Sequence, residues 1–371
     1  MKKVCHMTSA HPAGDVRIFH KECVSLARAG YDVYLVQRGE SGEEQGVHLV
    51  GIGEIPPGRI ARMTKGAKAV YEKALEVDAD LYHFHDPELL PYALKLKKRG
   101  KKVVFDSHEM YTEQIRNKTY LPRWCAKLIS AVYGGFERYV LRRIDGLVFP
   151  CLKNGAHPFA GQCARVITAD NVPMLGELYD RYDPTVEKEP NSVVHVGSLT
   201  YPRGITHAVR AGGAAGCKVV LAGVFSPASY QAEVEGLEEY SCVEYLGKLD
   251  RAGVRNALQR SCVGMATLLN VGQYNQYDNL ATKVYEYMSL GLPVVLTRSA
   301  YNESVMQRLR FGICVDPENV EEIAAAIRYL LDHPEEAREM GENGRRAVKE
   351  EFNWEVEAQK LFALYEDILK N

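Results

Sequence analysis

The chain has 371 residues, of which 46% are hydrophobic, with 46 lysines and arginines against 48 aspartates and glutamates. That length supports two domains with ordinary cores, and the net charge of −2 argues against a nucleic-acid partner. No run of about 18 apolar residues offers a membrane span.

The opening residues Met1-Lys2-Lys3-Val4-Cys5-His6-Met7 pass straight into a strand-like run, without the apolar stretch and cleavage site of a secretion signal. β-type runs follow at Val4–Met7, Val33–Val36, Val47–Ile52, Leu81–His85, Val103–Asp106, Gly146–Phe149 and Val166–Ile167. Segments of helical spacing, such as Phe19–Ala29 and Pro91–Arg99, separate them. The polar stretch Leu178–Asn191 contains Tyr182-Asp183-Pro184 and Glu187-Lys188-Glu189-Pro190 and reads as a linker. Beyond it the alternation resumes, with strands at Val193–Val196, Val219–Ala222, Val243–Leu246, Cys262–Ala266, Pro293–Leu296 and Gly312–Val315. Helical patterns lie at Ile205–Ala211, Val320–Leu331 and Glu335–Glu350, and a last one runs from about Trp354 to Leu369. Continuous apolar strands alternating with helices predict an α/β fold of two doubly wound parallel sheets. In such folds ligands bind where loops converge beyond the strand ends. Nine dispersed cysteines without a CxxC pair fit reduced thiols in a cytoplasmic protein.

The most informative segment is Thr282-Lys-Val-Tyr-Glu-Tyr-Met-Ser-Leu-Gly-Leu-Pro-Val-Val-Leu-Thr297. It reads as a short helix, a Gly-Leu-Pro turn and a buried strand. Lys283 and Glu286 share a face of the first helical turn. A helix N-terminus presents free N–H groups and suits phosphate, so Lys283 can hold a diphosphate and Glu286 ribose hydroxyls. A second phosphate cradle is Gly197-Ser198-Leu199-Thr200 with Arg203 and Gly204, where a strand ends in a glycine turn, a cation and a helix start. Gly223, Gly247 and Lys248 end two further strands, where glycine lets a ligand approach the backbone. Gly212-Gly213-Ala214-Ala215-Gly216 follows a helical pattern and reads as a helix stop. It lacks the strand-first order of a dinucleotide fingerprint.

In the first half, His83-Phe84-His85-Asp86-Pro87-Glu88 and Asp106-Ser107-His108-Glu109 both end strands. HxHD could suggest a metal site, but no companion ligand cluster is evident, and hydrogen-bonding residues of a binding cleft are the preferred reading. The loop His11-Pro12-Ala13-Gly14-Asp15-Val16-Arg17 suits acceptor or phosphate contact through Gly14, Asp15 and Arg17, with Asp15 as a plain helix cap as the alternative. The stretch Tyr120–Ile144 mixes apolar and basic residues, and Lys95, Lys97, Lys98, Arg99, Lys101 and Lys102 add basic charge. Both amphipathic core helices and a face resting on anionic lipid fit that pattern.

The Lys283–Val295 segment, the His83–Glu88 run and Asp106–Glu109 together resemble glycosyltransferase family 4, the retaining enzymes of GT-B fold. The resemblance spans nearly the whole chain. It implies two Rossmann-like domains facing a central cleft. Residues 1–177 would form the acceptor domain, 178–191 the linker and 192–353 the donor domain, with the helix at about 354–371 packed back on the first. It implies transfer of a sugar from a nucleotide-diphosphate sugar, with UDP the expected carrier, to a glycan or lipid-linked acceptor, as in surface polysaccharide synthesis, with no cofactor and no metal expected. The family's donor loop carries two glutamates. Glu286 fits the second, and Asp278 stands at the first, one methylene shorter. Ser198 stands where the family commonly has arginine and Arg203 where it has lysine. Asn279, Leu280, Ala281 and Thr282 would present backbone N–H groups, and the loop of Gly247 and Lys248 would border the base. His108 would lie at the transferred sugar, oriented by Asp106 and Glu109, with His85 and Asp86 in the acceptor cleft. A nucleotide-sugar 2-epimerase of the same fold and a non-catalytic partner of another transferase are the rival expectations. Peripheral contact with the inner face of the membrane is a further one.

Overall fold

The computed structural model describes residues 1–55, 58–118, 121–272 and 274–370. Its contacts divide the chain into two compact units. One comprises residues 1–152, 156–171 and 357–371; the other comprises 153–155 and 172–356.

In the first unit eight strands form one sheet: β1 (Lys3–Met7), β2 (Asp32–Gln37), β3 (Gly42–Glu44), β4 (Val47–Gly51), β5 (Leu81–Phe84), β6 (Lys102–Asp106), β7 (Gly146–Phe149) and β8 (Val166–Thr168), in the order β3-β4-β2-β1-β5-β6-β7-β8. All pairings are parallel except β3 with β4. The second unit holds β9 (Ser192–Val196), β10 (Lys218–Ala222), β11 (Val243–Gly247), β12 (Val263–Ala266), β13 (Val294–Thr297) and β14 (Gly312–Val315), all parallel, in the order β11-β10-β9-β12-β13-β14. Each sheet reverses its winding beside its first strand, at β1/β5 and at β9/β12. Such switch points are where loops part to leave room for a ligand. Strands β1, β5, β9, β12 and β13 are buried along almost their whole length, which is why they read as continuous apolar runs.

Every strand expected from the sequence is present within a residue or two. The addition is β3, Gly-Glu-Glu, fully exposed and paired antiparallel to β4; it carries no apolar alternation to betray it. The first helix starts earlier than its apolar spacing suggests, at Val16, because the Asp15 carboxylate accepts from the N–H groups of Arg17 (2.9 Å) and Ile18 (3.0 Å). The stretch 178–191 is not a free connector. Its Asp183 N–H bonds Gln259 Oε1 (2.8 Å), its Lys188 Nζ bonds the Ser261 carbonyl (2.8 Å), and Tyr179 and Tyr182 pack against the Arg345 guanidinium, so it belongs to the second unit. Helix Trp354–Lys370 begins on the second unit, with the Trp354 N–H on the Pro173 carbonyl (2.9 Å). It ends on the first, where Tyr365 is fully buried. Gly212 and Gly213 lie inside helix Ile205–Ala215, which Gly216 ends in a left-handed conformation (φ 67°).

One packing contact aligns the Thr282–Ser289 helix on its sheet. The Tyr287 ring lies over Gly264 of β12, where an added Cβ would sit 2.4 Å from the ring. The Tyr287 hydroxyl donates to the Met265 carbonyl (3.1 Å) and accepts from the Val196 N–H (3.2 Å). Tyr287→Phe leaves both backbone groups short of a partner in a dry core. It is expected to lower the unfolding free energy by about 1–3 kcal/mol, measured by urea denaturation.

Candidate functional site

In the second unit the expected donor residues gather at the carboxyl ends of β9, β10 and β12. Lys283 stands one helical turn before Tyr287, so the contact that seats Tyr287 also drives the Lys283 side chain inward. Its ammonium is buried 2.6 Å from Nε2 of His195 on β9. The guanidinium of Arg203 approaches the same point: a Cβ built on Gly197 would lie 3.8 Å from Lys283 Nζ and 3.9 Å from Arg203 Nη1. Burial and the Arg203 charge hold the Lys283 amine well below the ordinary lysine range, and only Glu286 opposes them. Burial, Lys283 and Arg203 likewise hold His195 neutral. Two cationic side chains therefore face one spot with a neutral imidazole behind them, an arrangement that an anion completes.

The backbone around that spot is open by construction. Gly197 and Gly204 have positive φ (109° and 74°). A Cβ on Gly204 would meet the Thr267 carbonyl at 2.0 Å, and one on Gly223 the Gly197 carbonyl at 1.7 Å. The helix starting at Thr282 has Ala281 as its cap, which offers no side-chain acceptor to its first N–H groups. Glu286 lies at the edge of this site and accepts from Arg251 Nη1 (2.7 Å), which also reaches Glu177 (3.3 Å). Asp278 accepts from the Gly155 N–H (2.6 Å), tying the short segment 153–155 to the donor loop. Leu280 is buried, Asn279 and Ala281 are half-buried, and Thr282, Ser198 and Lys248 are exposed. Gly247 turns the chain at φ 65°. His195 and Arg251 were missed from sequence. His195 looked like one more residue of an apolar strand, and nothing local marks Arg251 as the partner of Glu286.

The first unit builds a different site. Its center is Asp106, fully buried at the end of β6. Arg17 grips it with a fork, Nε to Oδ2 at 2.9 Å and Nη2 to Oδ1 at 3.2 Å, and gives its third arm to the Ala169 carbonyl (3.0 Å). Despite burial, the Arg17 and His108 contacts hold Asp106 well below the usual carboxylate range. Arg17 is thus an interior residue under the site, not a residue facing an open cleft. His108, partly exposed, places Nε2 3.2 Å from Asp106 Oδ2 and 3.3 Å from Nδ1 of the buried His85. Burial brings His85 down to about 4, so it is neutral at physiological pH. Glu109 bonds Gln114 instead of His108, leaving the orienting role to Asp106 and His85.

Asp86 is also interior: it accepts from Thr8 Oγ1 (2.9 Å), the Ser9 N–H (2.6 Å) and the Ala10 N–H (3.1 Å), and so fixes the loop after β1. That loop turns at Gly14 (φ 71°). It brings His11 between Asp15 (3.3 Å) and Asp86 (3.5 Å), whose charges raise its pKa against the effect of burial. A cavity of about 700 Å³ opens over this layer, lined by His11, Arg38, Arg62, Glu88, His108 and Tyr111 among others. Sequence reasoning found His108 and Asp106 but missed His11 and Arg62. Arg62 pairs with Glu88 (3.0 Å) across the cavity wall.

Residues 14–153 match the family model described as Glycosyltransferase Family 4, and residues 203–363 match the model described as Glycosyl transferase-like. A curated relative, MMP alpha-(1->4)-mannosyltransferase of Mycolicibacterium hassiacum, is 26% identical over 296 residues, 76% of this chain and 69% of its own. Among solved structures, the sucrose-phosphate synthase of Thermosynechococcus elongatus superposes over the full length of both chains with a TM-score of 0.76 at 16% identity. HepE of Anabaena, solved in complex with UDP, does so over 99% of this chain and 100% of its own, with a TM-score of 0.68 at 12% identity. One model covers most of the first unit's sheet and the other most of the second unit, and the protein is a family 4-type glycosyltransferase of GT-B fold.

Proposed function

We propose that this glycosyltransferase takes its sugar from a UDP-sugar and passes it, with retention of configuration, to a hydroxyl of a glycan or lipid-linked acceptor in surface polysaccharide or glycan assembly. The carrying observation is the pair of cations, Lys283 and Arg203, aimed at one glycine-lined spot without a carboxylate between them. Transfer develops negative charge on the departing diphosphate. Preorganised cations in a dry site stabilise that charge most effectively, and these two, with the N–H groups of the Thr282 helix, supply the stabilisation without a metal. Uridine as the base is supported by the solved neighbour that binds UDP. Glu286 would take the ribose hydroxyls by releasing Arg251, and Asp278 would stand near the sugar. His108, held by Asp106 and His85 at the floor of the first unit's cavity, would act at the reacting center.

Calorimetry with UDP, GDP and ADP tests the donor site. UDP is expected to bind, and Lys283→Ala and Glu286→Ala to weaken it by about 1–3 kcal/mol each. Failure of all three nucleotides to bind would overturn the reading. The titration also carries a proton signature. An anion raises the depressed Lys283 pKa toward its ordinary value, so at a pH between the free and bound values the complex takes up protons. The apparent enthalpy should then depend on the buffer's ionisation heat, and Lys283→Met should abolish that dependence. His108→Ala is expected to spare UDP affinity and reduce kcat by about 10²–10⁴-fold, the scale of a lost positioned acid–base group.

A lipid-linked acceptor is supported by helix Arg123–Leu141. Tyr120, where the expected basic and apolar run begins, lies outside the described residues. Trp124, Leu128, Val132 and Tyr139 are 70, 58, 66 and 49% exposed and recur at helical spacing on one face. Arg123, Lys127, Arg142 and Arg143 flank them, with Arg143 stacked on the Tyr139 ring at 3.5 Å. The helix's one acid, Glu137, turns inward to the Tyr133 hydroxyl (2.9 Å), and burial lifts its carboxyl to about 7. An apolar stripe bordered by cations fits an anionic bilayer surface. By contrast, Lys97 and Lys101 of the neighbouring basic run are paired with Asp145 and Asp78, both at 2.6 Å. The protein is expected to co-sediment with phosphatidylglycerol vesicles at low salt and Trp124→Glu/Leu128→Glu to abolish it. Equal sedimentation of wild type and variant would sink the idea.

A further inference from the structure

Below Asp106 the first unit contains a cluster of which only His85 has a part in the proposed transfer, through its contact with His108. His6 of β1, Glu22 of the first helix, and His83 and His85 at the end of β5 converge with their side chains 0–1% exposed. His6 Nδ1 and His85 Nε2 are 3.0 Å apart. Glu22 Oε2 lies 3.8 Å from His6 Nδ1, 3.8 Å from His83 Nδ1 and 3.9 Å from His85 Nε2. Four ligands bonded tetrahedrally to zinc at its usual N and O distances stand about 3.4 Å from one another; these four separations lie on either side of that value, and all four ligand atoms lie within 4.8 Å of one another.

The ring nitrogens bond to one another and to Tyr365, and Glu22 is the group left poorly served. Neither of its oxygens meets a donor in hydrogen-bond geometry, although its carboxyl lies close enough to Asp106 to share a proton with it. Oε1 is turned toward Arg17 Nε (3.2 Å), and Oε2 lies 3.8–3.9 Å from the three ring nitrogens. His85 Nδ1 lies against both Asp106 Oδ2 (3.4 Å) and His108 Nε2 (3.3 Å), and a proton held there toward the carboxylate leaves a lone pair on Nε2. His6 Nε2 lies 3.1 Å from the Tyr365 hydroxyl, and a proton held there leaves Nδ1 with a lone pair as well. The outer nitrogens of His6 and His85 thus meet a hydroxyl and a carboxylate, the usual outer partners of metal-bound histidines, while the inner nitrogens face each other.

We infer that His6, Glu22, His83 and His85 bind a divalent ion of the zinc class as a closed structural site. Three imidazoles and one carboxylate suit zinc, and four protein ligands in a buried shell leave no open position for chemistry. His83 Nδ1, now 2.7 Å from the Tyr365 hydroxyl, turns its lone pair from that hydroxyl to the ion. The overlapping triplet His85, Asp106 and His108 is the poorer site, because the Arg17 fork already spans both Asp106 oxygens with a positive charge. The ion joins β1, β5 and the first helix at one point and reaches the last helix through Tyr365.

The test uses the full, untagged chain stripped with a chelator. Stoichiometric uptake of Zn²⁺ by mass spectrometry of the metal, a rise in Tm and the visible bands of tetrahedral Co²⁺ on cobalt titration are expected. Glu22→Gln, which keeps the shape of the side chain, should lose uptake, and Tyr365→Phe should weaken it about 10–100-fold. His108→Ala should keep it. Circular dichroism establishes that each variant is folded. Folded wild-type protein that takes up neither ion would overturn the assignment, as would equal uptake in Glu22→Gln. Loss in His108→Ala with retention in Glu22→Gln would move the ion to the other triplet and overturn it too.

Discussion

The structure depends on charge held inside apolar packing at the ends of parallel strands. Burying an unpaired ammonium costs several kcal/mol unless something opposite compensates it. Lys283 nonetheless sits beside His195 with Arg203 approaching from the same side. Its position is dictated by contacts that have nothing to do with charge: Tyr287 on Gly264, two hydrogen bonds from one hydroxyl, and the turn at Gly291 that sends the chain into β13. Well-packed apolar residues hold the helix, and the helix holds the amine. The protein carries a depressed lysine pKa, and under the proposed function an arriving phosphate would remove its cause. Preorganisation of this kind lets binding energy go into the leaving group's charge instead of into ordering side chains.

The glycines make the same point for the backbone. Gly204 and Gly223 touch carbonyl oxygens so closely that any side chain would push the loops apart. Their absence of Cβ atoms brings the β9, β10 and β12 loops together around one opening.

Much of this was legible in the sequence because it is local. Apolar strands, the helix start at Thr282, the Gly-Leu-Pro turn and the spacing of Lys283 and Glu286 all lie within short windows. What escaped was set by distant residues. Arg17 reads as a loop cation, yet Asp106, far along the chain, draws it into the core. Glu22 looks like a surface acid on an amphipathic helix until the histidines of β1 and β5 close over it. The stretch 178–191 has the composition of a linker, but Gln259, Ser261 and Arg345 give its polar groups partners and dock it. Strand β3 has no side-chain signal at all, only a neighbour with free backbone groups.

The two units treat buried charge in opposite ways, and the difference separates their tasks. In the first, Arg17 and Asp106 neutralise each other through a fork, and His85 stays neutral above about 4. The partly exposed His108 therefore rests on a platform whose charge does not change when a substrate arrives. A residue meant to act on a reacting group gains from such constancy, since its orientation and basicity then depend on fixed partners. In the second unit Arg203 depresses the Lys283 pKa rather than neutralising its charge, with Glu286 the main opposing charge on Lys283, so an anion bound there would change the site's electrostatics most. Exchanging the designs would defeat both. A neutralised Lys283 would offer a diphosphate little, and an unpaired Asp106 under His108 would follow every change of charge above it.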